Sequence, residues 1–181
     1  DGQDDGWTAP LGIWTVEGGA YHGSARGAGA SREEFAVTTV DHFQDLVYET
    51  TITIHPRAIP TINLGPIFRV QAAPEAPAGI GRTFYGFALD ATPPDVRTPQ
   101  FTGFTKQVDG RPQPLTVVRS SSVALEGGRE YAVRVEATSG TLRGFVDGAL
   151  VQEVVDAAPL GPGRVGLRIQ TEEAPGAGTF G

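Results

Sequence analysis

The chain has 181 residues, a formal net charge of −7 and no cysteine. That length fits one domain, spanning 1–181, with a real core. The negative charge disfavours a nucleic-acid backbone as partner, and the missing cysteines remove disulfides, thiolate metal sites and cysteine nucleophiles together. Glycine (25) and proline (14) make up about a fifth of the residues, against roughly 12% in average usage, while hydrophobic residues still reach 39%. A turn-rich, all-β globule accounts for both. No run approaches the ~18 apolar residues of a membrane helix. Lys106 is the only lysine among 14 basic residues, a bias that, with the alanine, glycine and proline load, suggests a GC-rich genome. A chain without methionine that opens at Asp1 reads as processed or excised.

Period-2 alternation predicts the elements. Residues 12–16 and 20–24 read as a strand pair around the turn Glu17-Gly18-Gly19, and 26–30 as a loop. Ser31 and Glu34 have capping-box spacing, but Phe35 to Val40 favours extension, so a strand is expected there. Residues 41–45 can form one helical turn. Residues 46–54 give the clearest strand, with Leu46, Tyr48, Thr50, Ile52 and Ile54 on one face and Val47, Glu49, Thr51 and Thr53 on the other. Pro56 and Pro60 end it. Strands are expected at 64–71, with Phe68 and Val70 opposed to Arg69 and Gln71, and at 82–90. Further strands are expected at 101–108 and 115–119, joined through Asp109-Gly110. A late hairpin, 131–137 with 142–146, turns at Ser139-Gly140. Residues 149–154 follow the turn Asp147-Gly148, and 164–170 form the last strand. About ten or eleven strands without a convincing helix fit a two-sheet antiparallel sandwich or jelly roll.

Several chemistries are absent from the sequence: no G-x-S-x-G elbow, P-loop, H-E-x-x-H or dinucleotide fingerprint occurs. His22, His42 and His55 are isolated in sequence. A glycosidase needs two carboxylates about 5–9.5 Å apart, and no E-x-D-x-x-E strand is present. Glu33-Glu34 and Glu172-Glu173 are adjacent and point to opposite faces if extended. The informative pattern is a set of polar residues opposing apolar faces: Glu49, Thr51, Arg69, Gln71, Arg134, Glu136, Arg168 and Gln170. If those strands share a sheet, they form an arginine-bearing wall able to grip hydroxyls or a carboxylate. Trp14, Tyr21, Tyr85, Phe87 and Phe104 are candidate stacking rings for sugars. Trp7 and Trp14 also suit a core or sheet-edge role.

Five segments resemble concanavalin A-like jelly-roll modules of the laminin-G-like and fructan-binding type. Residues 12–23 are similar to a G-x-W-x-V-x-x-G-x-Y-x-G start. Residues 63–70 resemble the G-hydrophobic-F-R strand, and Phe84-Tyr85-Gly86-Phe87 the Y-Y-G-F strand. Residues 131–136 and 144–151 resemble a Y-x-V-R-V…V-D-G-x-x-V hairpin, and 163–168 match G-R-V-G-L-R. The resemblance covers nearly the whole chain, in order. It implies an all-β sandwich that binds carbohydrate on the concave sheet or its rim. It also implies a secreted bacterial setting and attachment to a neighbouring catalytic domain such as a glycoside hydrolase, while the charge and the lack of a long apolar run argue against nucleic-acid and membrane partners. Arg69, Tyr85 and Arg168 lie in matching motifs and are expected to touch ligand, with Glu49, Trp14 and Gln170 beside them. A related branch acts on 3-keto-glycosides; its N-S-G-I-F-F-R strand is altered here at Leu64. If the chain is a glycoside hydrolase or lyase, Glu49 and Glu136 are the acid–base pair, helped by His22. A third reading is a structural sandwich that packs on a neighbouring domain and binds no sugar. No cofactor is expected beyond a structural calcium, which family members hold near an aspartate of a closing F-D-x-V-x-V strand.

Overall fold

The computed structural model describes residues 6–11, 13–17, 20–24, 32–53, 61–72, 82–90, 102–126 and 128–172. Fourteen strands and no helix are found among them: β1 (Trp7–Leu11), β2 (Ile13–Glu17), β3 (Ala20–Ser24), β4 (Arg32–Thr38), β5 (Leu46–Thr53), β6 (Thr61–Val70), β7 (Phe84–Asp90), β8 (Thr102–Val108), β9 (Arg111–Gln113), β10 (Thr116–Ser120), β11 (Glu130–Thr138), β12 (Thr141–Val146), β13 (Ala149–Val155) and β14 (Arg164–Glu172). The expected turn glycines 18 and 19, the loop at 26–30, the strand-ending prolines 56 and 60, His55 and the tail beyond Glu172 lie outside the described residues.

All pairings are antiparallel. A seven-stranded sheet runs β1-β4-β14-β6-β7-β8-β9, a five-stranded sheet runs β10-β13-β12-β11-β5, and β2 pairs only with β3. The two large sheets pack face to face as the expected sandwich. Inward positions alternate as the sequence pattern requires: Tyr131, Val133, Val135 and Ala137 on β11 meet Phe68, Tyr85, Phe87, Leu89 and Phe104 of the larger sheet. Gly144 is needed at this interface, because a Cβ there would lie 2.1 Å from Cε2 of Phe87. Asp147 and Gly148 both take positive φ (49° and 78°), as do Asp109 and Gly110 (52° and 74°), the geometry of a two-residue hairpin turn.

Three expectations are corrected. Residues 41–45 form no helical turn; Phe43 instead makes an isolated bridge to Gly163. Asp109-Gly110 leads into the short β9, and β10 then crosses to the other sheet. Phe68 and Val70 do not share a face. Between the pairs Ile67↔Gly166 and Val70↔Arg164, two residues of β6 oppose one of β14, which is a bulge. Arg69 sits in it at φ 49°. The extra residue reverses the inside–outside parity, so Phe68 joins the inter-sheet core while Val70 joins a second cluster with Phe35, Val37, Ile67 and Phe84. Strict alternation on β7 places that second cluster on the outer face of the seven-stranded sheet, since Tyr85 and Phe87 point inward.

Candidate functional site

A cavity of about 430 Å³ opens where the β2–β3 hairpin approaches β5. Its walls include four consecutive residues of β3, Ala20 to Gly23, and six of β5, Tyr48 to Thr53. Successive side chains of a strand point to opposite faces, so a strand borders a space with consecutive residues only when its backbone edge faces that space. Both edges lack a strand partner among the described residues, because β5 ends the five-stranded sheet and β3 pairs only with β2. Such edges present N–H and C=O groups in alternation. Leu64, Gly65, Leu167 and Ile169 of the seven-stranded sheet form the floor.

The hairpin is seated through Gly23. A Cβ there would lie 2.4 Å from Cδ1 of Ile169 and 2.8 Å from the Trp14 ring; glycine lets the indole and the isoleucine close over the backbone. Three rings gather at this end. Trp7 and Tyr21 have centroids 5.4 Å apart at 41°, and Trp14 and Tyr21 6.2 Å apart at 56°. Tyr48 donates a 3.2 Å hydrogen bond to the Gly166 carbonyl, and burial raises its phenol pKa above the ordinary value. On the polar side, Thr51, Thr53, Glu49 and Glu130 border the opening from β5 and β11. His22 borders it from β3, with Nε2 donating to the Glu17 carbonyl at 3.2 Å. Aromatic rings and hydroxyl and carboxylate groups bordering one space can stack on a pyranose or furanose ring and bond its hydroxyls.

Of the residues singled out from the sequence, Trp14, Glu49, Tyr21 and His22 come together here. The shared arginine-bearing wall does not form. Arg69 is fully buried: Nε donates to the Gln44 carbonyl at 2.8 Å, Nη1 to Leu160 at 3.0 Å, and Nη2 lies 3.4 Å from Asp45 Oδ1. It ties loops to the sheet and leaves no surface for a ligand. Tyr85 is also fully buried, stacked on Phe68 at 5.3 Å. Its hydroxyl donates to Asp156 and accepts from the Leu160 amide at 3.0 Å. Phe87 and Phe104 pack together in the core, centroids 4.8 Å apart. Arg168 borders the cavity along its strand, but its guanidinium lies 5.5 Å over the Phe84 ring and bonds Gln170. Both side chains therefore lie with the outer cluster. Arg69, 5.8 Å over Tyr85, is on the opposite face.

Glu49 and Glu136 are on the outer face of neighbouring strands, with Arg134 between them: its Nη2 is 2.5 Å from Glu136 Oε1 and its Nε 3.6 Å from Glu49 Oε1. Glu136 does not line the cavity. Among the described residues no group of three or more His, Asp or Glu side chains is placed to hold a metal ion; the closing segment near which the resemblance implies a calcium lies outside the described residues. Sequence reading did not mark Trp7, Tyr48 or Glu130 as ligand candidates. Trp7 precedes the first expected strand, and Tyr48 alternates like any core residue, so neither carries a local signal of a cavity.

No protein-family model matches the chain, and no curated protein matches its sequence. Solved structures do match. A CBM66 carbohydrate-binding module from Bacillus subtilis superposes with a TM-score of 0.66 at 20% identity, over 92% of this chain and 91% of that one. The carbohydrate recognition domain of Emp46p, in a potassium-bound form, gives 0.58 at 12% identity over 93% and 82%. A putative glycosyl hydrolase from Parabacteroides distasonis gives 0.57 at 15% identity over 93% and 86%. The chain thus has the concanavalin A-like jelly-roll fold, an all-antiparallel two-sheet sandwich.

Proposed function

We propose that this domain binds carbohydrate in the cavity between the β2–β3 hairpin and β5. The observation that carries the reading is the combination of three aromatic rings with a rim of hydroxyls and carboxylates along two open strand edges. The fold is shared with proteins described as a carbohydrate-binding module and a carbohydrate recognition domain, which supports it. Trp14 and Tyr21 supply stacking surface, and Glu49, Thr51 and Thr53 take hydroxyl hydrogen bonds. A few exposed hydrogen bonds and one stack give weak affinity, roughly 10 µM to millimolar. The role that follows is to hold a secreted polysaccharide-degrading enzyme, carried as a neighbouring domain, on its polymer by raising local concentration. Binding is favoured over hydrolysis because Glu49 lines the cavity and Glu136 does not, so this pair does not flank a bound sugar.

Calorimetry and affinity electrophoresis against fructans, arabinans and β-glucans test this directly. Trp14→Ala is expected to weaken binding of the best glycan at least tenfold, since a lost stack is worth about 0.5–1.5 kcal/mol beyond the buried area. Silence of the parent protein across the panel would overturn the reading. Reducing-sugar release abolished by Glu49→Gln would replace it with the hydrolase.

A further inference from the structure

We infer that the cavity selects its sugars by charge, taking amine-bearing and neutral glycans and rejecting anionic ones. This rests on the sugar-binding reading above and names the ligand class of the same site. The two ionisable carboxylates at the opening, Glu49 and Glu130, are both exposed. Arg134 offsets part of this charge, with its Nε 3.6 Å from Glu49 Oε1, but its Nη2 is taken by Glu136. Arg168, which lines the wall along with His22, sends its guanidinium to the other face of the sheet, over Phe84. Arg134, behind Glu49, is held by Glu136 at 2.5 Å and lies 5.6 Å over the Phe145 ring. Below the rim, the faces of Trp7, Trp14 and Tyr21 carry the negative end of the ring quadrupole, which attracts ammonium groups and repels carboxylates and sulfates. The open strand edges add no net charge. The whole chain, at −7, repels an approaching polyanion further. A uronate or sulfate brought to this opening meets two like charges, of which only Glu49 is ion-paired among the described residues, whereas a protonated amine meets carboxylates and aromatic faces.

An exposed carboxylate–ammonium contact is worth roughly a threefold change in affinity, so the two together give about tenfold at low salt. A glycan microarray carrying neutral, amine-bearing, uronate-bearing and sulfated glycans, read at pH 6.5 in 20 mM and 300 mM salt, tests the inference. The expected result is a ranking of amine-bearing above neutral above anionic forms of one backbone, with the amine preference shrinking at 300 mM as screening shortens. In Glu49→Gln/Glu130→Gln the ratio of amine-bearing to neutral binding should fall about tenfold towards one. Anionic glycans bound as well as their neutral counterparts, with that binding lost in Trp14→Ala, would overturn the charge selection while leaving sugar binding intact. An unchanged ratio in the double variant would overturn it equally. No signal from any glycan would overturn the binding reading itself, and the selection with it.

Discussion

Replacing Tyr85 by Phe removes one oxygen from the centre of the sandwich and separates two roles that the residue could have had. The hydroxyl donates to Asp156 and accepts the Leu160 amide at 3.0 Å, and Asp156 in turn takes Lys106 Nζ at 2.6 Å and the Ala158 amide at 2.9 Å. Four segments therefore meet at one phenol–carboxylate–ammonium cluster: β7, β8, the end of β13 and the loop into β14. In Tyr85→Phe the ring still stacks on Phe68, so packing is kept. The charge-assisted bond is lost, and the Leu160 amide is left without its partner in a part-buried position. Losing a bond to a charged group and leaving a donor unsatisfied are each worth about 1–3 kcal/mol. Because Asp156 keeps its other two partners, a total of about 2–4 kcal/mol is expected, or roughly 5–12 °C in Tm at this chain length. Tyr85 does not border the cavity, so glycan affinity measured below the transition should stay within a factor of two. Differential scanning calorimetry and a binding titration on the same preparation give both numbers. A Tm within 2 °C of the parent, or lost binding at an unchanged Tm, would refute the assignment of Tyr85 to structure.

The same cluster sets an acid limit. Burial by itself would raise the Asp156 pKa, but hydrogen bonds from Lys106, Tyr85 and the Ala158 amide, with the Lys106 charge, outweigh it and leave the carboxyl below its ordinary 3.8. A depressed folded-state pKa gives stability that is complete above the unfolded value and lost as pH falls through the folded one. The Tm gap between the parent and Asp156→Asn should hold constant from about pH 5 to 8 and narrow below about pH 4; a gap that persists to pH 2.5 refutes this. Arg69→Ala leaves the Gln44 and Leu160 carbonyls without their donor, and a loss of about 2–4 kcal/mol in urea unfolding is expected with glycan binding retained. Gly23→Ala places a Cβ 2.4 Å from Ile169 and 2.8 Å from Trp14. Since the hairpin pairs with neither large sheet, the displacement should fall on the hairpin, weakening glycan binding about tenfold or more while overpacking costs about 1–3 kcal/mol. Intact affinity in that variant would show that the hairpin does not form the site.

The arginines Arg69 and Arg168 show where sequence reasoning stops. Both sit in strands that alternate cleanly, and a polar residue between apolar neighbours on a half-buried strand reads as solvent-facing. One inserted residue opposite Val165 turns Arg69 into the edge of the sandwich, and nothing local marks the bulge, because its cause is the pairing with β14. Arg168 does alternate as expected, with Leu167 and Ile169 inward, but the outer face of its sheet carries a second apolar cluster and is not open to solvent. Glu49 and Trp14 reach the cavity from strands that share no sheet.

By itself the sequence determined the β class, most strand positions, the Asp-Gly turns and the inward faces of β5 and β11, because a two-residue period and the positive φ of tight turns are local properties of the chain. Only the tertiary structure decided which strands share a sheet, where the parity reverses and which edges stay unpaired. Those depend on hydrogen bonds between residues distant in sequence: β5 meets β11 some eighty positions away and has no strand partner on its other side among the described residues. The cavity borders that edge, so its residues are brought together by topology and not by any motif.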